Sequence, residues 1–261
     1  MIIENIYTIV SDKIFDSLVD ELRNIAPYHP ILKTIGWGYI PVGENKVEHK
    51  VSIGSLDKIR MSEVDENIIE KYSIATPKID GGSAICYYKD GYLQNIVSRG
   101  NGEIGVDITS NLVHAVPIYL DKMQNGIAIR GEIVLALEDF YEIGGSSARN
   151  RAVGLSQTKF ADANVKKFHF IAYEIIWISD KYPEHMFCKE IQFNSLKEWG
   201  FEIPKFLRVR QPQDLIDNYL ELSKLNGKTL LVDGIVLSAI NPDLKKGWDI
   251  LRVPEGYGIF T

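Results

Sequence analysis

Near the amino terminus apolar residues recur at a helical period. Ile14, Phe15, Leu18, Val19, Leu22 and Ile25 leave one stripe of the segment apolar and the rest polar, which predicts an amphipathic helix. Ser11 is placed as its N-cap, because a hydroxyl can accept a bond from a first-turn amide, and Pro27, lacking an amide proton, ends it. From Pro27 to Gly43 the stripe dissolves into prolines, glycines and scattered apolar residues, the composition of a linker. Beyond it the texture changes. Ser83 to Tyr88 and Tyr92 to Ser98 are rich in apolar and aromatic residues and flank Lys89-Asp90-Gly91, whose Asp-Gly step suits a tight hairpin turn. Ile127 to Leu135, Phe168 to Ile178 and Thr229 to Ile240 predict further strands, whereas Ile191 to Trp199, closed by Gly200, and Asp214 to Leu225 predict helices. The expected architecture is an α+β body of antiparallel sheets with flanking helices, plus a short N-terminal helical appendage. No internal repeat or low-complexity tract interrupts it.

Composition narrows the class. The 261 residues are 45% apolar and 25% charged, enough for one sizeable core and too mixed for disorder. No run approaches the ~18 consecutive apolar residues of a membrane span. Met1-Ile2-Ile3-Glu4-Asn5 lacks the basic-then-apolar layout of a signal peptide. A cytoplasmic protein with no membrane partner is expected. Cys86 and Cys188 are far apart and lack metal or redox spacing, so they read as inert thiols. The formal charge of -6 disfavours a chain that grips nucleic acid by bulk electrostatics, so any DNA contact must be local or borrowed.

Candidate chemistry starts at Lys78-Ile79-Asp80-Gly81. A lysine desolvated beside cations or a metal can lose its proton and become a nucleophile. Alone, such a run turns up by chance in roughly one chain in twenty of this length, usually as a turn. An ordered series follows it: Ser98-Arg99-Gly100-Asn101-Gly102, Asp107-Ile108-Thr109-Ser110-Asn111, Arg130-Gly131-Glu132, Ala148-Arg149-Asn150, Phe170-Ile171-Ala172-Tyr173 and Val232-Asp233-Gly234-Ile235-Val236. The arginines suit phosphate oxygens, because a planar fork binds them and does not titrate away.

This ordered set resembles the adenylation domain of the NAD-dependent DNA ligases. Glu48-His49-x-Val51 and Ser55-Leu56-Asp57 extend the likeness to about Ser11–Val236. The resemblance implies a nucleotidyltransferase (ATP-grasp-like) fold over 31–261, preceded by a partial helical element over 1–30 that recognises nicotinamide mononucleotide. It implies that Lys78 attacks the adenylyl phosphorus of NAD, releases nicotinamide mononucleotide, and holds AMP as a phosphoramide for transfer to the 5′-phosphate of nicked DNA in replication and repair. By the same likeness Asp80 and Asp233 serve the phosphate and a Mg2+ ion, and Glu132 contacts the ribose. Arg99 and Arg149 meet phosphate or ribose edges, Tyr173 stacks on adenine, and Ser55 and Leu56 lie beside it. His49 is expected to be structural. Asp12, Phe15 and Asp16, on one helical face, match the segment that recognises the nicotinamide mononucleotide half.

Departures from the family pattern matter equally. Thr76 stands where the family has Glu, Gln157 where it has a second arginine, Ser238 where it has a lysine, and Phe15 where it has Tyr. The family's last lysine motif would fall at or past Thr261, and its oligonucleotide-binding, zinc, helix-hairpin-helix and BRCT modules are not found here. Lys245 and Lys246 are candidate replacements. The favoured partner is a second ligase subunit carrying those modules; a piece of a longer ligase is an alternative. An ATP-dependent polynucleotide ligase, or a weakly active adenylation-like binding or assembly module, are the alternatives.

Overall fold

The computed structural model describes residues 12–27, 29, 45–51, 53, 57–121, 126–158, 162–178, 188–240 and 256–260. The first part of the chain forms α1 (Asp12–Ile25), β1 (Lys46–Glu48), β2 (Asp57–Arg60), α2 (Glu66–Lys71), β3 (Ile74–Ile79), β4 (Gly82–Lys89), β5 (Tyr92–Ser98), β6 (Ile104–Val106) and α3 (Thr109–Leu112). There follow β7 (Ile127–Val134), α4 (Leu137–Ile143), α5 (Ala148–Ser156), β8 (His169–Trp177), α6 (Lys189–Glu198), β9 (Leu207–Arg208) and α7 (Gln213–Leu222). The last elements are β10 (Lys224–Leu225), β11 (Lys228–Thr229), β12 (Val232–Ser238) and β13 (Gly256–Phe260). The α+β expectation with antiparallel sheets holds.

Two sheets organise these elements. One is antiparallel and runs β5-β4-β7-β8; the other runs β2-β13-β12-β3-β9 and is antiparallel except where β13 meets β2. Apolar surface covers both faces of the first sheet at β4 and β7, which is why these strands are nearly continuous apolar runs rather than alternating ones. Ala84, Cys86 and Tyr88 of β4 enter the largest core, where they meet Ile127 and Ile129 of β7 and Phe193 and Leu196 of α6. Ile85 and Tyr87 point the other way, toward Val51 and Ile53. Each such aliphatic or phenyl side chain contributes roughly 1.5–3 kcal/mol when fully buried. The second sheet packs Ala75, Ile235 and Leu237 against Leu215 and Leu222 of α7 and Ile69 of α2.

Asp80 and Gly81, between β3 and β4, carry the chain from one sheet to the other. The amide of Asp80 donates to the Leu231 carbonyl at 2.9 Å. A Cβ on Gly81 would lie 2.4 Å from the Ile133 carbonyl oxygen. Only glycine lets this crossing lie flat on β7. The motif residues around Lys78 therefore sit at the junction of the sheets.

Several expected boundaries move. The hairpin at Asp90-Gly91 forms, with φ of 51° and 81°, the positive values that a primed turn requires. The helix expected over 214–225 stops at Leu222, because Lys224–Leu225 pairs with Lys228–Thr229 through Asn226-Gly227, again at positive φ (47° and 82°). The strand expected over 229–240 is two strands: Leu230 and Leu231 leave the ladder to bond Ser223 and Asp80. Ser11 and all of the linker except Pro27 and His29 lie outside the described residues.

Candidate active site

Lys78 lies near the end of β3, beside β12. Ile79 faces Val232 and Pro77 faces Ile235, so β12 spends one more residue than β3 across this interval, which is a β-bulge. Gly234, at φ 152°, absorbs the distortion in a region that side chains disfavour. The bulge brings Asp233 onto the lysine: Lys78 Nζ donates to both carboxylate oxygens at 2.7 Å. Their side chains remain 31% and 40% exposed, so the pair is open to solvent rather than part of the core. Two residues along the crossing, Asp80 accepts from Arg149 Nη1 at 3.1 Å. Arg149 is held in the first turn of α5, where the N-cap Ser147 hydroxyl accepts from the Asn150 amide at 3.1 Å.

The four-stranded sheet supplies the other half. Tyr173 OH donates to Glu132 Oε2 at 3.3 Å and lies 3.3 Å from Ser83 Oγ. Burial pushes the Glu132 carboxyl up to about 7, against the pull of Arg130, Arg149 and Lys78. That three cations act on one carboxyl places the lysine, the arginines and Glu132 in one electrostatic neighbourhood. Burial likewise raises the Tyr173 phenol to about 12. Arg130 pairs with Glu174 at 3.5 Å, both side chains almost inaccessible (8% and 4%), and its guanidinium carbon lies 5.8 Å from the Tyr173 ring centre.

Arg99 follows β5, its amide donating to Ser83 O at 2.8 Å and its carbonyl accepting from Gly102 N at 2.9 Å. Burial and the charge of Arg130 lower its pKa, while Tyr173 and Glu132 act in the opposite direction. His49 fastens this turn from behind. Its Nε2 reaches the carbonyls of Ser98 (3.1 Å) and Arg99 (3.2 Å), and its Nδ1 lies 2.9 Å from Tyr87 OH. Two carbonyls can only accept, so Nε2 carries the proton and Nδ1 accepts from the tyrosine. Burial holds the His49 pKa below its ordinary value, in keeping with a neutral ring.

Lys78, Asp80, Glu132, Arg99, Arg149, Tyr173 and Asp233 thus gather where the two sheets meet. Asp12, Phe15 and Asp16 belong to α1, but their side chains lie outside the described residues, as do Ser55 and Leu56 altogether. Ser83, Arg130 and Glu174 had no role assigned from sequence. The lone Glu174 in the Phe168 to Ile178 run was the available signal, since a carboxylate in a buried strand needs a buried cation.

A magnesium ion suits this donor set. Among the described residues no group of three or more His, Cys, Asp or Glu could cage a metal on protein ligands alone. Magnesium instead takes one or two carboxylates together with water and phosphate oxygens, and Asp80 and Asp233 provide that number.

The family model for the NAD-dependent DNA ligase adenylation domain matches residues 44–247. The chain belongs to that family. This adenylation domain is 30% identical over 256 residues to a DNA ligase of Borrelia garinii subsp. bavariensis, which covers 87% of this chain and 38% of the relative. A DNA ligase of Acanthamoeba polyphaga mimivirus is 29% identical over 254 residues, 91% of this chain and 37% of that protein. The adenylation domain therefore spans well under half the length of these relatives. Among solved structures, a mycobacterial DNA ligase D complexed with ATP and MES aligns at a TM-score of 0.48 and 11% identity, over 80% of this chain and 60% of that one. A Naegleria gruberi RNA ligase with PPi aligns at 0.47 and 14% identity, over 93% and 69%. No helix among the described residues is long and apolar enough to cross a membrane.

Proposed function

We propose that this adenylation domain carries out the first half-reaction of nick sealing: Lys78 Nζ attacks the adenylyl phosphorus of NAD, a nitrogen–phosphorus bond forms, and the bond to the nicotinamide mononucleotide phosphate breaks. The product is a lysyl-AMP whose adenylyl group passes to a 5′-phosphate at a DNA nick. The observation that carries this reading is the grip of both Asp233 oxygens on Lys78 Nζ at 2.7 Å, in a solvent-accessible pair two residues along the chain from the Asp80–Arg149 pair.

An attacking amine must shed a proton, and Asp233 is the group placed to take it. Asp80 and Asp233 are the residues that would hold a magnesium ion, which would supply charge neutralisation at the phosphate. Arg149 and Arg99 serve the phosphate and ribose edges, Glu132 the ribose hydroxyls, and Tyr173 the adenine face. Fixing the sugar lines the leaving group up opposite Nζ, which is where in-line displacement gains its rate, while the contact with the adenine face contributes binding. Residues 1–30 are proposed as a partial element for the nicotinamide mononucleotide half, through Asp12, Phe15 and Asp16, and residues 31–261 as the adenylating unit. The net charge of -6 and the share of the relatives spanned support assigning much of the DNA grip to further ligase modules, on a partner polypeptide or in additional ligase sequence.

The test is incubation of the protein with magnesium and NAD labelled in the adenylate half. Covalent label is expected on the wild-type chain and absent from Lys78→Ala. Label from ATP but not from NAD would overturn the choice of donor. No label from either, with the remaining ligase modules present, would leave an adenylation-like binding module instead.

A further inference from the structure

The structure assigns a positioning role to Lys189, a residue outside the nucleotide-facing set: its ammonium satisfies the carbonyl displaced by a bulge at Tyr173, and its amide fastens the end of β12 to the same point. The bulge is read from the register. Arg130 faces Glu174 and Gly131 faces Ala172, so β8 spends Tyr173 as one extra residue. A bulged residue leaves the regular ladder, and such bulges re-aim side chains next to active sites. Here the re-aimed side chain is the one that reaches Glu132 and Ser83. The Tyr173 carbonyl accepts instead from Lys189 Nζ at 2.6 Å.

Lys189 is the first residue of α6. A cation at that end opposes the helix dipole, and ordering a long side chain costs rotamer freedom, so its placement needs another cause. The acceptor on Tyr173 and the carboxylate of Glu174, whose charge acts on Lys189, supply one. Its backbone amide meanwhile donates to Ile240 O at 3.1 Å, just past the strand that carries Asp233. One residue thus ties β8, which holds Tyr173, to β12, which holds Asp233. Arg130 and Glu174, paired in the same buried layer, complete the support behind the tyrosine ring.

The kinetic part of this inference rests on the adenylyl-transfer reading; the structural part does not. The test uses the full chain labelled with 3-fluorotyrosine, the Tyr173 resonance being assigned by Tyr173→Phe. Lys189→Met keeps the stem and removes the donor, Lys189→Gln keeps a donor without the charge, and Lys197→Met, exposed on the same helix, is the control. In Lys189→Met the Tyr173 fluorine resonance is expected to shift or split. The KM for NAD is expected to rise about tenfold with little change in the saturated rate, since a contact made equally in ground and transition states acts on KM. Lys189→Gln is expected to return the resonance close to its native position. An unmoved resonance in Lys189→Met, or an equal change in Lys197→Met, would overturn the assignment. Should Lys189→Met fail to fold, a native resonance in Lys189→Gln upholds the bond and a displaced one overturns it. If the wild-type chain takes label from neither NAD nor ATP, the adenylyl-transfer reading fails while the fluorine spectrum still decides the role of Lys189.

Discussion

Replacing Glu132 with glutamine is expected to stabilise the folded protein at alkaline pH and to leave it unchanged in acid. The carboxyl has an ordinary value of 4.5 and stands at about 7 in the fold, burial being the largest cause. A folded value above the unfolded one means that the native state holds the proton more tightly. Its contribution is therefore fully present below about pH 4.5 and is lost as pH rises through about 7. From 4.5 to about 7, at 1.36 kcal/mol per pH unit, the full loss would be roughly 3 kcal/mol. The residue is only partly buried by accessible surface, and screening by that solvent reduces this to about 2 kcal/mol. Glutamine keeps the shape and an acceptor for Tyr173 OH without the charge. Urea denaturation of both proteins between pH 4 and pH 9 checks this: the glutamine variant should gain about 2 kcal/mol above pH 8, the difference shrinking steadily below about pH 7, half gone near pH 6 and closed toward pH 4. A difference that does not vary with pH, or a variant less stable at pH 8, would refute the claim that the fold holds a costly buried charge at Glu132. The same variant should adenylate poorly, which is the trade expected where a site is tuned for binding rather than stability.

Other consequences follow from single contacts. Gly81→Ala sets a methyl 2.4 Å from the Ile133 carbonyl oxygen; thermal unfolding should show a loss of about 1–3 kcal/mol, and adenylation should fall with it, because the displaced crossing carries Asp80. Tyr88→Phe removes a buried 2.6 Å bond to the Pro117 carbonyl and should cost about 1–3 kcal/mol in urea denaturation without altering the labelling of Lys78. His49, whose pKa is lowered chiefly by burial, contributes stability that is present above pH 6.5 and lost as pH falls through its lower folded value. His49→Gln should be less stable near pH 8 and should flatten that part of the acid limb, measured as unfolding midpoint against pH.

The amphipathic α1 and the Asp90-Gly91 hairpin were legible in the chain because each depends on residues a few positions apart, where a stripe or a positive-φ turn already sets the local conformation. The ordered motifs located Lys78, Asp80, Glu132, Arg149, Tyr173 and Asp233 as a set. Yet Lys78 and Asp233 are 155 residues apart and Asp80 and Arg149 are 69 apart, and their meeting depends on register. A slip of one residue sends every side chain of a strand to the opposite face, and local pattern carries no record of the extra residue at Asp233-Gly234 or at Tyr173. Tertiary structure alone decided those two bulges, the end of α7 at Leu222 where a second hairpin captured the following residues, and the use of Lys189 as a brace. In each case a distant backbone group needed a partner, and the demand for that partner overrode the preference of the local sequence.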